Sequence, residues 1–189
     1  MIIRAGSLVA TPWKNGGGVT REIAAGPLGA SLDAFAWRLS MADVASDGAF
    51  SRFAGVDRVL VLLDGAGMRL EQADGRVHTL DAPLAIARFA GETPIHATLI
   101  NGPTRDFNVM VRRGRARATV DVRRASCSPD ARHDLTFIFC VRGRIDIKAA
   151  GDTRHTLETG DTLRLDRAAE LQFEASDDAA WLHIGIDDL

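Results

Sequence analysis

Residues 59–83 read VLVLLDGAGMRLEQADGRVHTLDAP, and this stretch indicates the fold class. It holds three short runs, 59–63, 68–72 and 76–80, in which apolar or β-branched residues recur. Each run stops at a turn that contains Asp, Gly or Pro. Short alternating runs separated by such turns predict antiparallel strands joined as hairpins. No window has the long apolar periodicity and end caps of an amphipathic helix. The chain is therefore predicted to be all-β.

The same series of strands and turns recurs in the second half of the chain. Runs at 135–141 and 144–148 again stop at turns, and the triplet His78-Thr79-Leu80 returns as His155-Thr156-Leu157. A repeat after about 77 residues, at the same point of two matching series, indicates a duplicated unit. We predict two fused β units, residues 1–111 and residues 112–189, the second of which includes a connecting strand.

Composition excludes several classes of protein. A chain of 189 residues with 46% hydrophobic residues can form its own core. Its net charge of −2 argues against a protein that coats nucleic acid or an anionic membrane. The start resembles no signal peptide, and no apolar run is long enough to span a bilayer. Cys127 and Cys140 lack redox or metal spacing, so we expect buried thiols in a reducing, cytoplasmic environment.

A basic segment at 112–117 and 123–124 joins the two predicted units. Arg115, Arg117 and Thr119 alternate with small residues, as on the solvated face of a strand. Aromatic residues that stack on bases are missing from this segment. We therefore interpret it as a solvated strand face, and we expect no nucleic-acid or membrane partner.

Motifs for metal, nucleotide or covalent chemistry are absent from the sequence. The five histidines are dispersed and form no local ligand set, so neither a metal nor another cofactor is predicted. No nucleophile elbow, dinucleotide fingerprint or phosphate loop occurs. No catalytic residue is assigned on this basis.

The segment Trp13-Lys14-Asn15-Gly16-Gly17-Gly18 is the first candidate for a binding role. Adjacent glycines allow positive φ angles and close approach of the backbone, which can turn N–H groups toward one anionic oxygen. Lys14 would add a positive charge and Asn15 a donor and an acceptor. The structural alternative for the glycines is a flexible turn.

Three predicted strands carry polar residues on one face. Thr20 and Glu22 lie on the same face of the strand after the glycines, because alternate residues of a strand point the same way. Arg38 shares a face with Ala36 and Ser40 on a second strand, and Asp106 shares a face with Asn108 on a third. Isolated polar groups opposite apolar faces are typical of a lined cavity.

Other residues in these segments have structural interpretations. We expect Trp13 and Trp37 to belong to the core. Asp57 and Arg58 are neighbours at the start of a predicted strand, and we expect them to form an ion pair at the strand end.

Four sequence blocks together resemble the HutD/Ves family. They are WKNGGGVTREI at 13–23, WRLS at 37–40, GAFSRFAGVDR at 48–58 and DFNVM at 106–110. The resemblance covers essentially the whole chain, and its first block is the most specific. It implies a bicupin, two fused cupin-like β-barrel units, in a bacterial cytoplasmic protein. The HutD branch further implies regulation of histidine utilisation. The chain lacks the His and Glu spacing of metal-binding cupins, so metal chemistry is not carried over.

We expect a small-molecule-binding regulatory protein rather than an enzyme. Lys14 and Arg38 would clamp a ligand carboxylate, because charged donors hold such groups firmly. Glu22 and Asp106 would accept hydrogen bonds from its amide or imidazole. Urocanate and formylglutamate, metabolites of histidine breakdown, have both features. The complete predicted site is Lys14, Asn15, Gly16, Gly17, Thr20, Glu22, Arg38, Asp106 and Asn108.

Two other functions fit the same residues. The first is a metal-independent enzyme with Glu22 or Asp106 as general base and Arg38 or Lys14 stabilising an oxyanion. The second is a protein-interaction module with a vestigial pocket. A DNA-binding repressor is disfavoured because no recognition helix is predicted. The sequence leaves open the ligand, the role of the second unit, and assembly as a monomer or homodimer.

Overall fold

The computed structural model describes residues 1–124, 132–149, 154–166 and 171–189. These residues form antiparallel strands and one short 3₁₀ helix at Ala5–Ser7, and the described part of the chain contains no α-helix, so the all-β prediction is confirmed. The strands are β1 Ile2–Ile3, β2 Ala10–Pro12, β3 Gly18–Gly26, β4 Trp37–Val44, β5 Gly48–Ala49, β6 Val56–Asp64, β7 Met68–Gln72, β8 Val77–Leu80, β9 Ile86–Ala90, β10 Ile95–Leu99, β11 Thr104–Arg112, β12 Ala116–Arg124, β13 Leu135–Arg142, β14 Arg144–Ala149, β15 Arg154–Glu158, β16 Thr162–Leu165, β17 Leu171–Ala175 and β18 Ala180–Asp188.

The chain divides into two compact units. The N-terminal unit is Val9–Arg115, and the C-terminal unit combines Met1–Leu8 with Ala116–Leu189. The predicted units were 1–111 and 112–189, so the structure moves the boundary by a few residues and assigns the first eight residues to the other unit. The reason is strand pairing: β1 pairs antiparallel with β16, with Ile2 opposite Leu163.

The N-terminal unit consists of two sheets. One has the strand order β2-β3-β4-β11-β6-β9 and the other β5-β10-β7-β8. Alternate residues of each strand point to the same face, and apolar side chains from both sheets form one buried cluster. Leu60 and Leu62 of β6, Met68 and Leu70 of β7, and Ala97 of β10 are at most 1% exposed within it. The predicted strands 59–63, 68–72 and 76–80 correspond to β6, β7 and β8.

The C-terminal unit has the same plan on a smaller scale. Its sheets have the orders β1-β16-β13-β18-β12 and β15-β14-β17. The repeated His-Thr-Leu triplets lie in β8 and β15, which are the second strands of the hairpins β7–β8 and β14–β15. On the connecting strand β12, Arg117 and Thr119 are exposed while Ala116 is buried, as the alternation predicted.

Asp161 attaches the N-terminal segment to the C-terminal unit. This residue is 6% exposed, and its carboxylate accepts hydrogen bonds from Arg4 Nη1 at 2.6 Å, Ala5 N at 3.0 Å and Glu158 N at 3.2 Å. Burial raises the pKa of Asp161, but these hydrogen bonds outweigh burial and the pKa lies below its ordinary value. The ionised form is therefore the one that stabilises the fold.

Asp161→Asn is expected to lower stability at pH 7 by about 2 kcal/mol, because charge-assisted bonds are lost and donors stay buried. A lowered native pKa contributes stability above the unfolded-state pKa and loses it as the pH falls through the native pKa, so the difference should shrink at pH 3. Denaturant unfolding at both pH values measures this effect. The exposed pair Arg164–Asp166 supplies the control Asp166→Asn, which should change stability by less than about 1 kcal/mol. An equal loss at both pH values would contradict the role of the ionised carboxylate.

Candidate functional site

Polar side chains lie on the inner face of the larger sheet in the N-terminal unit. Glu22 of β3 is opposite Ser40 of β4, and Ser40 is opposite Asn108 of β11. In the adjacent row Arg38 of β4 and Arg58 of β6 are both opposite the same residue of β11. Opposed residues of antiparallel strands point to the same side of a sheet. The register therefore collects these side chains on the face that packs on the core.

Arg58 is the centre of this group. It is only 7% exposed, and its Nη2 donates to Asn108 Oδ1 at 2.7 Å. Its Nη1 donates to the carbonyl oxygen of Ser51 at 3.3 Å. The guanidinium carbon lies 5.1 to 5.8 Å from the centroids of three aromatic rings, those of Phe50, Phe53 and Phe89. Contacts of this kind with ring faces stabilise a cation that has left water.

Asn108 connects Arg58 to a buried carboxyl group. While its Oδ1 accepts from Arg58, its Nδ2 donates to Asp106 Oδ1 at 2.5 Å. Asp106 is 1% exposed, and burial raises its pKa to about 7 although the charge of Arg58 lowers it. Burial likewise lowers the pKa of Arg58 to about 10. Both Arg58 Nε and Asp106 Oδ2 are buried without a hydrogen-bond partner.

Arg38 and Glu22 form the outer part of the group. Arg38 Nε donates to Glu22 Oε2 at 2.8 Å, and Arg38 Nη1 donates to Ser40 Oγ at 3.3 Å. The Arg38 side chain is 12% exposed and that of Glu22 is 51% exposed. This side of the group therefore meets solvent while Arg58 and Asp106 do not. We call the whole set the polar cluster: Glu22, Arg38, Ser40, Arg58, Asp106 and Asn108.

The glycine-rich segment forms the turn between β2 and β3. Gly16 has φ +73°, and its N–H donates to the carbonyl oxygen of Trp13 at 3.0 Å. The N–H of Gly17 donates to Asn15 Oδ1 at 3.0 Å. Because these two donors are used inside the turn, the predicted nest of N–H groups for an anion is not formed. Lys14 and Asn15 are exposed.

Gly18 and Trp13 close one end of the N-terminal unit. A Cβ on Gly18 would lie 2.4 Å from the carbonyl oxygen of Asp43 and 3.2 Å from the Trp13 ring, so only glycine fits. Trp13 packs against the apolar cluster as predicted, and its Nε1 donates to Thr20 Oγ1 at 2.7 Å. Thr20 shares the inner face, and its hydroxyl oxygen accepts this bond.

The predicted clamp of Lys14 and Arg38 is not assembled. Gly18, next to the turn that carries Lys14, is opposite Val44 at the end of β4. Arg38 lies six residues away along the same strand, which is about 20 Å at the usual rise per residue. The structure thus brings together Glu22, Arg38, Asp106 and Asn108 of the predicted site, and it leaves Lys14, Asn15, Gly16 and Gly17 apart from them.

Arg58 was missed by the sequence analysis, which expected an ion pair with Asp57. That expectation is wrong, because successive residues of β6 point to opposite faces. Asp57 is exposed and accepts from Arg113 Nη1 at 2.5 Å. The alternation of side chains along the strand could have located Arg58. It lies on the same face as Leu60 and Leu62, both of which are in the core.

An open groove of about 440 Å³ lies beside the ring that covers Arg58. Phe50 belongs both to this groove and to the aromatic rings around Arg58. The lining residues of the groove are Ala49, Phe50, Arg52, Glu71, Gln72, Ala73, Pro94, Ile95 and His96.

The described residues contain no group of three or more His, Cys, Asp or Glu side chains arranged to hold a metal ion. None of the helical structure in the same residues is long and apolar enough to cross a membrane. Cys140 is buried, and burial, followed by the charge of Asp161, raises the pKa of its thiol to about 12, which makes it unreactive. Cys127 lies outside the described residues.

Comparison with known proteins identifies the family. The HutD family model matches residues 5–183. The chain belongs to the HutD family. It is 35% identical over 170 residues to an uncharacterized 21.2 kDa protein in the hutC 3′ region of Pseudomonas putida, covering 90% of this chain and 88% of that protein. Protein Ves of Citrobacter koseri is 44% identical over 111 residues, which are 58% of this chain and 56% of Ves.

Solved structures confirm the predicted bicupin fold of this HutD-family protein. HutD from Pseudomonas fluorescens, in a structure described as a formate condition, has a TM-score of 0.85 and 32% identity, covering 100% of this chain and 98% of that chain. A conserved protein of unknown function from Pseudomonas aeruginosa PAO1 has a TM-score of 0.90 and 33% identity, covering 99% and 98%. A cupin 2 conserved barrel domain protein from Leptotrichia buccalis has a TM-score of 0.62 and 10% identity, covering 99% and 96%, and shares the fold alone.

Substitutions in the glycine-rich turn separate backbone strain from steric exclusion. Gly16→Ala should lower the free energy of unfolding by about 1 kcal/mol, because alanine is strained at positive φ. Gly18→Ala should lower the free energy of unfolding by more, at least about 2 kcal/mol, because its Cβ would clash with the β4 backbone. Gly6→Ala, which has open space and ordinary φ, is the matched control. Thermal unfolding of the three variants ranks the losses, and equal stability of Gly18→Ala and the control would exclude the close approach.

The pKa of Asp106 predicts an unusual dependence of stability on pH. A carboxyl group with a raised native pKa keeps its proton after the unfolded chain has lost it, so stability falls as the pH rises from about 4 to about 7. Asp106→Asn removes this dependence. The free energy of unfolding of the variant minus that of the natural protein should therefore grow by about 1 to 4 kcal/mol from pH 4.5 to pH 8. Denaturant unfolding across this range tests it, with the half-exposed Asp74→Asn as control. A difference that does not change with pH would contradict the raised pKa.

Proposed function

We propose that this HutD-family protein is a regulatory protein that binds a small carboxylate metabolite of histidine breakdown in the polar cluster. Family membership and the relative in the hutC 3′ region support a role related to histidine utilisation. The observation that carries the binding proposal is the guanidinium of Arg58. It is buried inside the N-terminal unit, its Nε has no hydrogen-bond partner, and it reaches the Asp106 carboxyl group only through the amide of Asn108.

The carboxylate of the ligand binds Arg58 and Arg38. A buried guanidinium without a facing anion carries a large desolvation cost. A ligand carboxylate compensates this cost through charge-assisted hydrogen bonds, and the unpartnered Nε of Arg58 is a donor in position to supply one. Arg38 lies on the same face and has a solvent-exposed partner, Glu22, so it can change partner at small cost.

The other end of the ligand meets hydrogen-bond acceptors. Asp106 Oδ2 is buried with no partner, and Glu22 is half exposed beside Arg38. An N–H from an imidazole or a formamide donates to Glu22. Urocanate and formylglutamate each combine such an N–H with a carboxylate, and we propose one of them as the ligand. The route of entry passes Glu22 and Arg38, or passes Phe50 from the groove.

A metal-independent enzyme acting in the same place is the second candidate. One observation favours it: burial raises the pKa of Asp106 to about 7, which suits a general base at neutral pH. In that case Arg58 stabilises a developing oxyanion. The two functions differ in whether the ligand is recovered unchanged.

Calorimetric titration with urocanate, formylglutamate and histidine tests the proposal. We expect saturable heat with one carboxylate metabolite. Arg58→Met keeps an unbranched apolar side chain among the three aromatic rings, and it should weaken binding by about 100-fold, since it removes a buried charged donor. Arg38→Ala should weaken binding by about 10-fold. Arg76→Ala, an exposed arginine paired with Asp74, is the control and should bind normally.

Each titrated mixture is then separated by chromatography. Intact ligand supports the regulatory function, whereas product supports the enzyme. If none of the three compounds gives heat, the assignment to histidine metabolites fails. Binding that survives Arg58→Met at full strength would place the ligand outside the polar cluster.

A further inference from the structure

We propose that binding of an anion at Arg58 is coupled to the uptake of one proton by Asp106, and that the amide of Asn108 connects the two events. This inference rests on the proposed function, since it concerns the same site. It adds that pH regulates occupancy of the site. The ligand remains an anion, and a proton from solvent binds the Asp106 carboxylate to form an O–H group.

The geometry separates the buried cation from the buried anion by one amide group. Arg58 donates to Asn108 Oδ1, and Asn108 Nδ2 donates to Asp106 Oδ1. The amide orientation is therefore set by its two neighbours, because only its oxygen can accept from a guanidinium. Arg58 and Asp106 make no direct ion pair, so Arg58 keeps the capacity to hold a second anion.

The rest of the enclosure offers little to neutralise another charge. The facing sheet contributes apolar side chains, including Met68, Leu70 and Ala97. The charged groups around the site are Arg38, whose charge lowers the pKa of Arg58, and Asp43, whose charge raises the pKa of Asp106. Glu22 pairs with Arg38 at the exposed side.

An entering carboxylate puts three carboxylates, its own and those of Glu22 and Asp106, around two guanidinium groups, Arg38 and Arg58. Like charges that share an enclosed site cannot both remain ionised, and the group that is harder to solvate takes up a proton. Asp106 is that group, because it is 1% exposed and its Oδ2 has no donor to hold it in the ionised form. Its pKa of about 7 means that it can take up a proton at neutral pH.

The coupling fixes the direction of the pH dependence. A ligand that raises the pKa of Asp106 binds more tightly as the pH falls, by up to about tenfold per pH unit above the pKa of the free protein. Below that pKa the carboxyl is already protonated, and the affinity becomes independent of pH. If Asp106 were only a fixed counter-charge for Arg58, ligand binding would take up no proton.

The test is calorimetric titration at pH 7.5 in two buffers with different ionisation enthalpies, such as PIPES and Tris. Formylglutamate and formate are the probes, because neither has a group that titrates near pH 7. The slope of observed heat against buffer ionisation enthalpy gives the number of protons taken up. We expect about 0.5 to 1 proton per ligand, and an affinity that falls from pH 7 to pH 9.

Asp106→Asn is the matched variant, since its side-chain oxygen still accepts from Asn108 but it cannot take up a proton. It should bind with no proton uptake and with an affinity that does not change with pH. Binding by the natural protein without proton uptake overturns this inference and leaves the proposed function intact. Absence of binding by both probes overturns this inference, while the proposed function is then decided by the titration with urocanate. The comparison of the two buffers on the natural protein shows whether ligand binding takes up a proton, even if Asp106→Asn does not fold.

Discussion

The hydrogen bond from Arg58 to Asn108 is the interaction on which the site depends. Moving a guanidinium out of water is costly, and this unit offsets the cost with an amide oxygen, a backbone carbonyl and three aromatic ring faces. The partner strands must stay in one register for these contacts to form, because a shift by one residue would turn each side chain to the other face. The same bond orients the Asn108 amide toward Asp106. The charge of Arg58 thus lowers the pKa of a carboxyl group that it does not touch, against the larger effect of burial.

The two units share one architecture but differ in the side chains that they bury. In the C-terminal unit the buried cluster is apolar, with Ile138, Cys140 and Leu163 fully buried and Phe173 stacked on Trp181 at 5.1 Å between ring centroids. Apolar burial contributes much of the stability of such an interior, although the same unit also buries polar side chains such as His183 and Asp161. The N-terminal unit gives up part of that stabilisation to hold charged groups, which is typical of functional sites. The described residues therefore place the candidate site in the N-terminal unit.

Sequence relatives and distant structural neighbours establish different properties of this protein. Relatives of about a third identity over nearly the full length establish the HutD family, whereas cupin structures near 10% identity establish the architecture alone. Cupin folds support many activities, so function has to be argued from side chains. Here the decisive observation is a buried cation, Arg58, that reaches the carboxyl group of Asp106 only through the Asn108 amide. Its aromatic and apolar surroundings make each added charge costly to bury.

Local sequence pattern was sufficient for the all-β class, the duplication and the faces of individual strands. Glu22, Arg38, Asp106 and Asn108 were correctly placed on shared faces, because the alternation of side chains along a strand is a local property. The partners of each strand are not local, since they depend on hydrogen bonds between segments far apart in the chain. For that reason only the tertiary structure brought Arg58 beside Asn108, separated Lys14 from Arg38, and joined the first eight residues to the C-terminal unit.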